Sequence, residues 1–253
     1  MNIFLKTIAI ILLCMAANAR DKGETEITTE DGIEVYQDEK YYLLKKNVII
    51  ESDNFVLTAE NVKINYENNL QDITVLKAKG NVKFNSEEFS IKGSGENLRL
   101  EIKVEKIEVQ GIDSKLTTED IAMFSDGFIK VNNLNGKFSL KGKNSKLINE
   151  NVLVIGEEID GIFSNNENKK EITILNVVDE KISYVKNNDS EMYAKKINFN
   201  DEKSIIELID NVVIIRNGEK ITGDYGTLDT KNNSYKIKSN NSTKVKAIIQ
   251  NDE

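Results

Sequence analysis

In the stretch Phe55-Val56-Leu57-Thr58-Ala59-Glu60-Asn61-Val62-Lys63-Ile64-Asn65-Tyr66, apolar side chains occupy 55, 57 and 59 and then 62, 64 and 66. Alternation with a period of two marks a β-strand that buries one face. The step from 59 to 62 takes three residues, so the buried parity changes halfway along. A regular strand cannot do that without turning its apolar set toward water. A bulge or sharp bend must follow Ala59, and the pattern predicts a sheet that folds over on itself.

The same interruption recurs along the chain. Gly95-Glu96-Asn97-Leu98-Arg99-Leu100, Gly142-Lys143-Asn144-Ser145-Lys146-Leu147, Ala194-Lys195-Lys196-Ile197-Asn198-Phe199 and Gly223-Asp224-Tyr225-Gly226-Thr227-Leu228 repeat a small residue, a charged one, and then two inward positions alternating with polar ones. Ala59, Gly95, Gly142, Ala194 and Gly223 are therefore the predicted kinks. Asn47-Val48-Ile49-Ile50 precedes Ala59 at the distance at which Asn211-Val212-Val213-Ile214 precedes Gly223. The spacing between copies is irregular, which indicates internal repetition without a strict solenoid period.

Downstream of residue 30 there is almost no helical period. Turn candidates are Asp53-Asn54, Asn68-Asn69, Asn132-Asn133, Asn165-Asn166, Asn187-Asn188, Asn217-Gly218, Asn232-Asn233 and Asn240-Asn241,. A unit reads as a short strand from Val48 to Glu51, a long bent strand from Phe55 to Glu67 and a returning strand from Ile73 to Lys79. The expected fold is all-β: an antiparallel, twisted, β-jellyroll-like trough of roughly twelve to sixteen strands.

The first nineteen residues, MNIFLKTIAIILLCMAANA, combine Lys6, an apolar run and a small-x-small ending at Ala17-Asn18-Ala19. This is the pattern of a signal peptide cleaved after Ala19. The competing reading is a retained membrane anchor, but the span from Lys6 to Arg20 gives roughly 20 Å of helix against a hydrocarbon core of about 30 Å. The expected layout is a signal peptide at 1–19, a flexible stretch at 20–32, the β body at 33–249 and a tail at 250–253. The body reads either as one trough or as two units, 33–125 and 126–249.

The chain has no His, no Pro and one Cys, Cys14, inside the signal segment. The mature chain thus lacks a disulfide, the commonest transition-metal ligands and every Ser/His or Cys/His nucleophilic pair. No catalytic residue, metal site or cofactor is expected, and the chain does not read as an enzyme. The formal net charge is −8, one unit more negative once Lys6 is removed. That balance speaks against nucleic acid as a partner.

Nucleotide-binding patterns fail on inspection. Gly93-Ser94-Gly95-Glu96-Asn97-Leu98 lacks the third glycine of a dinucleotide fingerprint, and the run from Gly136 to Ser145 has the wrong glycine spacing for a phosphate loop,. The 42 acidic residues include no pair that spacing singles out for glycosidase chemistry. Lys231, Lys236, Lys238, Lys244 and Lys246 form a basic stretch that reads as a solvated, aggregation-resistant edge.

The signal segment, the all-β body, the Leu57-Thr58-Ala59-Glu60 kink and above all Ile221-Thr222-Gly223-Asp224-Tyr225-Gly226-Thr227-Leu228-Asp229 followed by Tyr235-Lys236-Ile237 resemble the OstA-like family of periplasmic lipopolysaccharide-transport proteins. The resemblance is strongest over 41–100 and 205–248. It implies a trough that shields lipid A acyl chains and stacks head to tail into a bridge between the membranes. It also implies partners at both ends, an inner-membrane and an outer-membrane transport component, met through edge strands near 33–44 and 235–249. The expected groove lining is Val48, Ile50, Phe55, Leu57, Val62, Ile64, Val82, Phe84, Ile91, Leu98, Leu100, Phe138, Leu140, Ile197, Phe199, Val212, Ile214 and Ile221. The alternatives are a membrane-anchored member of the same pathway and a non-carrier structural β-protein of the envelope. Ser145, where the pattern wants an apolar residue, marks the middle copy as divergent.

Overall fold

The computed structural model describes residues 22–69, 72–87, 90–164, 170–187, 190–240 and 244–249. The segment 1–19, the tail 250–253, Asn165-Asn166, Asn188 and Asn241 lie outside them. The described residues form eighteen strands and a single 3-10 turn. These are β1 (Glu26–Thr28), β2 (Gly32–Tyr36), β3 (Tyr41–Ser52), β4 (Phe55–Tyr66), β5 (Ile73–Ser86), β6 (Ile91–Glu101), the turn Ile102–Val104, β7 (Lys106–Gln110), β8 (Ser114–Thr117) and β9 (Ile121–Ser125). They continue as β10 (Phe128–Asn132), β11 (Lys137–Asn149), β12 (Val152–Phe163), β13 (Ile172–Lys186), β14 (Ser190–Asn200), β15 (Ile205–Arg216), β16 (Glu219–Asp229), β17 (Ser234–Lys238) and β18 (Lys246–Ile248).

Several strands are halves of one passage of the chain. Both β1 and β2 pair with β3, the first through Ile27↔Ile50 and the second through Ile33↔Leu44. In the same way β7 and β8 pair with β6, β9 and β10 with β11, and β17 and β18 with β16. Eighteen strands with four such split pairs are fourteen passes. All are antiparallel neighbours in chain order, in line with the expected antiparallel trough.

Every pass bends along one line. The registers shift at Lys45/Val48, Thr58/Asn61, Lys79/Val82, Lys141/Ser145, Ile155/Glu158, Val178/Ser183, Tyr193/Lys196 and Ile209/Val212. On one side of the line, a first sheet contains β1, β8, β9, β18 and the half-strands 48–52, 55–59, 82–86, 91–95, 145–149, 152–156, 183–186, 190–194, 212–216 and 219–223. A second sheet on the other side contains β2, β7, β10, β17 and the remaining halves. The two sheets face each other as the arms of a V, and their fourteen strands stack to a height of about 60 Å at the usual interstrand spacing.

The corners have a side-chain rule that the spacing of the kinks only partly disclosed. The pairs that meet just inside the bend are Val48↔Ala59, Val82↔Gly95, Ser114↔Ser125, Ser145↔Gly156, Ser183↔Ala194 and Val212↔Gly223. One partner in each is Ala, Gly or Ser, because two backbones converge there. Gly142 lies at a bend too, but on the opposing class of pass; the counterpart of Ala59 in that copy is Gly156, and Ser125 supplies another. With that correction the small residues fall between 29 residues apart (Ala194 to Gly223) and 38 (Gly156 to Ala194).

The opposing passes turn through left-handed residues, as at Lys46-Asn47 (φ 64° and 49°), Gly80-Asn81 (80° and 47°) and Asp210-Asn211 (62° and 57°). Asn and Gly adopt this region at least cost. Serine replaces the corner valine where a freed carbonyl needs a donor: Ser145 Oγ donates to Gly142 O at 2.8 Å and Ser114 Oγ to Gly111 O at 2.7 Å. Ser145 is therefore buried and satisfied, and is no sign of degeneration.

Two expectations about extent are corrected. Pairing begins at Glu26, within the stretch read as flexible 20–32, because β1 continues the line of β2 onto β3. The short strand read from Val48 to Glu51 and the returning strand read from Ile73 to Lys79 are halves of the long bent strands β3 and β5; the left-handed pairs hid their continuity from an alternation count.

Burial follows the double parity. In β4, Leu57, Ala59, Val62 and Ile64 are buried, and in β15 Ile206, Leu208, Val212 and Ile214 are. These side chains belong to one apolar core running through all the passes, from Leu44 to Leu228.

Candidate functional site

The turns that end each arm form two lips facing each other across the mouth of the V. On the first sheet they include the turns after β5, β8, β11 and β15; on the second, those after β6, β10, β12 and β16. Between the lips of β4–β7 the mouth opens into a cleft of about 390 Å³. Phe55, Phe84, Ser86 and Ile91 wall it from the first sheet. Ile73, Leu76, Leu100 and Ile107 wall it from the second, with Ile102, Glu101, Glu105, Lys106 and Asn133 at the rim. The volume lies at the lower end of what small-molecule sites require.

The lining is positioned by register. Phe84 stands opposite Gly93 across β5–β6, and a methyl on Gly93 would lie 2.3 Å from the Phe84 ring. The missing side chain gives the ring its seat. The same device recurs between β11 and β12, with Phe138 opposite Gly161. There the ring also stacks on Phe163, centroids 4.2 Å apart.

The rim is charged but balanced. Glu101 Oε1 accepts from Arg99 Nε at 2.9 Å and lies 3.5 Å from Lys106 Nζ; the Arg99 hydrogen bond leads in holding its carboxyl below the usual range. Lys170 is half-buried, and burial lowers its ammonium pKa although Asp120 and Glu105 pull it the other way. Outside the cleft, Tyr193 is pushed up to about 12 by burial and by its hydrogen bond to Glu191. Among the described residues no cluster of three metal-ligating side chains occurs.

Of the expected lining, Phe55, Phe84, Ile91 and Leu100 border the cleft. Val48, Ile50, Leu57, Val62, Ile64, Val82 and Leu98 are buried in the core of the first half. Phe138, Leu140, Ile197, Val212 and Ile214 are buried in the second, while Phe199 and Ile221 are half-buried. The reading missed Ile73, Leu76, Ile107 and the turn residue Ile102. Leu76 and Ile107 carry the same alternation signal and could have been found by extending it; Ile73 is out of phase with Leu76, beside a register irregularity, and Ile102 sits in a turn, where alternation does not apply.

The outer passes each pair on one side only in the register: β1 and β2 with β3, and β17 and β18 with β16. Both present exposed apolar side chains, Ile33 and Val35 at one end and Ile248 and Ile249 at the other.

No curated protein matches the chain. Among solved structures, it resembles the crystal structure of LptH, the LptA-homologous periplasmic component of the lipopolysaccharide transport device of Pseudomonas aeruginosa. The two are 15% identical with a TM-score of 0.41, over 52% of this chain and 95% of that one. One protein family fits the sequence twice, over residues 26–137 and again over 136–234. The chain belongs to that family, described as LptA/(LptD N-terminal domain) LPS transport protein.

Proposed function

We propose that the protein is a periplasmic carrier that shields the acyl chains of lipopolysaccharide between the arms of the V and bridges the inner and outer membranes. The single observation that carries this reading is the apolar cleft at the mouth of the first repeat, continuous with a core that extends the length of the stack. An acyl chain in water costs about 0.8 kcal/mol per exposed methylene, so a lipid with several chains needs such a lining along its whole route. The acidic net charge and the balanced rim favour recognition through the tails. Cleavage after Ala19 would release the chain into the periplasm.

The division into two units of seven passes, suggested by the double family match, makes each chain a tandem. Its exposed outer passes are suited to strand addition from a neighbour, giving a head-to-tail contact with another copy or with the membrane components at either end.

Photo-crosslinkable residues placed at Leu57, Phe84, Phe138 and Phe199 in living cells test the carrier reading. Lipopolysaccharide adducts are expected at Phe84 at least. Their absence at all four positions, in a protein that is folded and exported, defeats the reading in favour of a structural envelope protein.

A further inference from the structure

The mouth of the V is not uniform along its length, and this inference, which rests on the carrier reading, concerns that difference. Over the first repeat the lips stand apart around the cleft, which ends at Glu105 and Asn133. Past that point, close to the boundary between the two family matches, polar groups cross from lip to lip. Asn149, at the end of β11 in the first sheet, donates through Nδ2 to the Lys170 carbonyl on the second-sheet lip at 3.3 Å, and to the Asp120 carbonyl at 3.2 Å. Along the second-sheet lip, Lys170 Nζ donates to Asn133 Oδ1 at 2.8 Å and Asn133 Nδ2 to Glu105 Oε2 at 2.8 Å, which ties the crossing bond to the end of the cleft. The end wall of the cleft is therefore also a bar across the mouth.

A second bar stands at the far end of the second repeat. Arg216, on the first-sheet lip, donates through Nη1 to the Asn233 carbonyl on the opposite lip at 3.1 Å. Beside it, Tyr235 OH donates to Glu219 Oε2 at 3.1 Å, again between sheets. The second repeat is thus bridged at both its ends, whereas the first is open.

The two bars differ in burial: the Asn149 bond is part-buried, whereas the Arg216–Asn233 bond is solvent-exposed. Asn149 is 9% exposed, Lys170 is half-buried, and Arg216 Nε is buried without a hydrogen-bond partner. An acyl chain offers no donor or acceptor, so it cannot pass between the lips without displacing these bonds, and it leaves their groups unpaired if it does. Because water can replace an exposed hydrogen bond, the Arg216 bar is the more readily released of the two,.

We infer that these two polar bars latch the second repeat against acyl chains, so that a lipid tail occupies the first-repeat cleft before the second repeat opens to it. The latches convert a uniform trough into two compartments filled in order. Family membership does not require this, because it depends on Asn149, Lys170 and Arg216 of this chain.

The test uses the full-length protein, purified lipopolysaccharide with radiolabelled acyl chains, and a photo-crosslinkable residue at either Phe84 or Phe199. The wild-type background should label strongly at Phe84 and weakly at Phe199. Combining Asn149→Ala, which removes the donor to the Lys170 carbonyl, with Arg216→Ala should raise labelling at Phe199 about tenfold, the population shift expected from losing one charge-assisted hydrogen bond, with Phe84 unchanged. Should the double variant not fold, Asn149→Ala alone removes one cross-lip donor and should shift Phe199 in the same direction by less. Equal labelling of the two positions in the wild-type background overturns the inference, as does a folded latch variant with no rise at Phe199. Labelling at neither position in any background instead overturns the carrier reading itself.

Discussion

Gly127 and Gly142 back onto each other at the corner where β9 and β10 meet β11. A methyl group on Gly127 would lie 2.1 Å from the Lys141 carbonyl oxygen, and one on Gly142 would lie 2.6 Å from the Gly127 nitrogen. Ser125 Oγ fills the remaining space, donating to Lys141 O at 2.9 Å and lying 3.0 Å from Ser145 Oγ. This corner joins the last pass of the first repeat to the first pass of the second. Gly127→Ala is expected to destabilise the fold by about 1–3 kcal/mol through backbone displacement, read as a lower urea midpoint at unchanged slope.

The two Phe-over-Gly pairs should respond unequally. At Gly161 a methyl would meet the Ile174 carbonyl oxygen at 2.4 Å as well as the Phe138 ring, and that ring is held by Phe163. Beside Gly93 the Phe84 ring borders the open cleft and can swing into it. Gly161→Ala should therefore cost more stability than Gly93→Ala. The latter should instead lower lipid labelling of the cleft, measured with a crosslinker at Ile73.

Filling the cleft should separate binding from stability. Ile73 is half-buried on the cleft wall, so Ile73→Trp adds bulk into open space and should leave Tm within a few degrees while reducing adducts at Phe84. Leu57→Ala is the contrasting control. Leu57 is fully buried, and truncation there should cost about 2–5 kcal/mol.

Lys170 gives a pH dependence of defined sign. Burial lowers its folded-state pKa below the ordinary lysine value, so between the two values the unfolded chain binds more protons. Stability from this group then rises with pH. Relative to Lys170→Met, the wild-type protein should gain stability as pH is raised from neutral through the lowered pKa toward the ordinary lysine value. Paired urea titrations at several pH values measure the difference, and a gap that is flat or shrinks contradicts the assignment.

The exposed edge at β2 should govern association. Val35 is 47% exposed on a strand paired only with β3. Val35→Asp should weaken end-to-end assembly of the protein without changing its fold, since a charge on an edge strand opposes strand addition. Sedimentation velocity should show a shift toward monomer with an unaltered circular dichroism spectrum.

Phe55 to Tyr66 alone declared a bent strand, because a three-residue step between buried positions has no solution on a regular one. The absence of His and Pro, and of any thiol beyond Cys14, is likewise read directly from the sequence. Those are local facts, carried by period and residue type. The exchange of Gly156 for Gly142 as the corner residue was not legible, since both are glycines followed by a charged residue and only strand direction separates them.

Likewise Phe84 and Phe138 have the same pattern, yet one borders a cleft and the other is stacked under Phe163. The sequence by itself determined that the chain would be all-β, folded over and apolar within. Only the tertiary structure decided where the arms part and where they are latched. The reason is that Asn149, Lys170 and Arg216 meet partners on the opposite lip, and which turns face each other depends on the V closing in three dimensions.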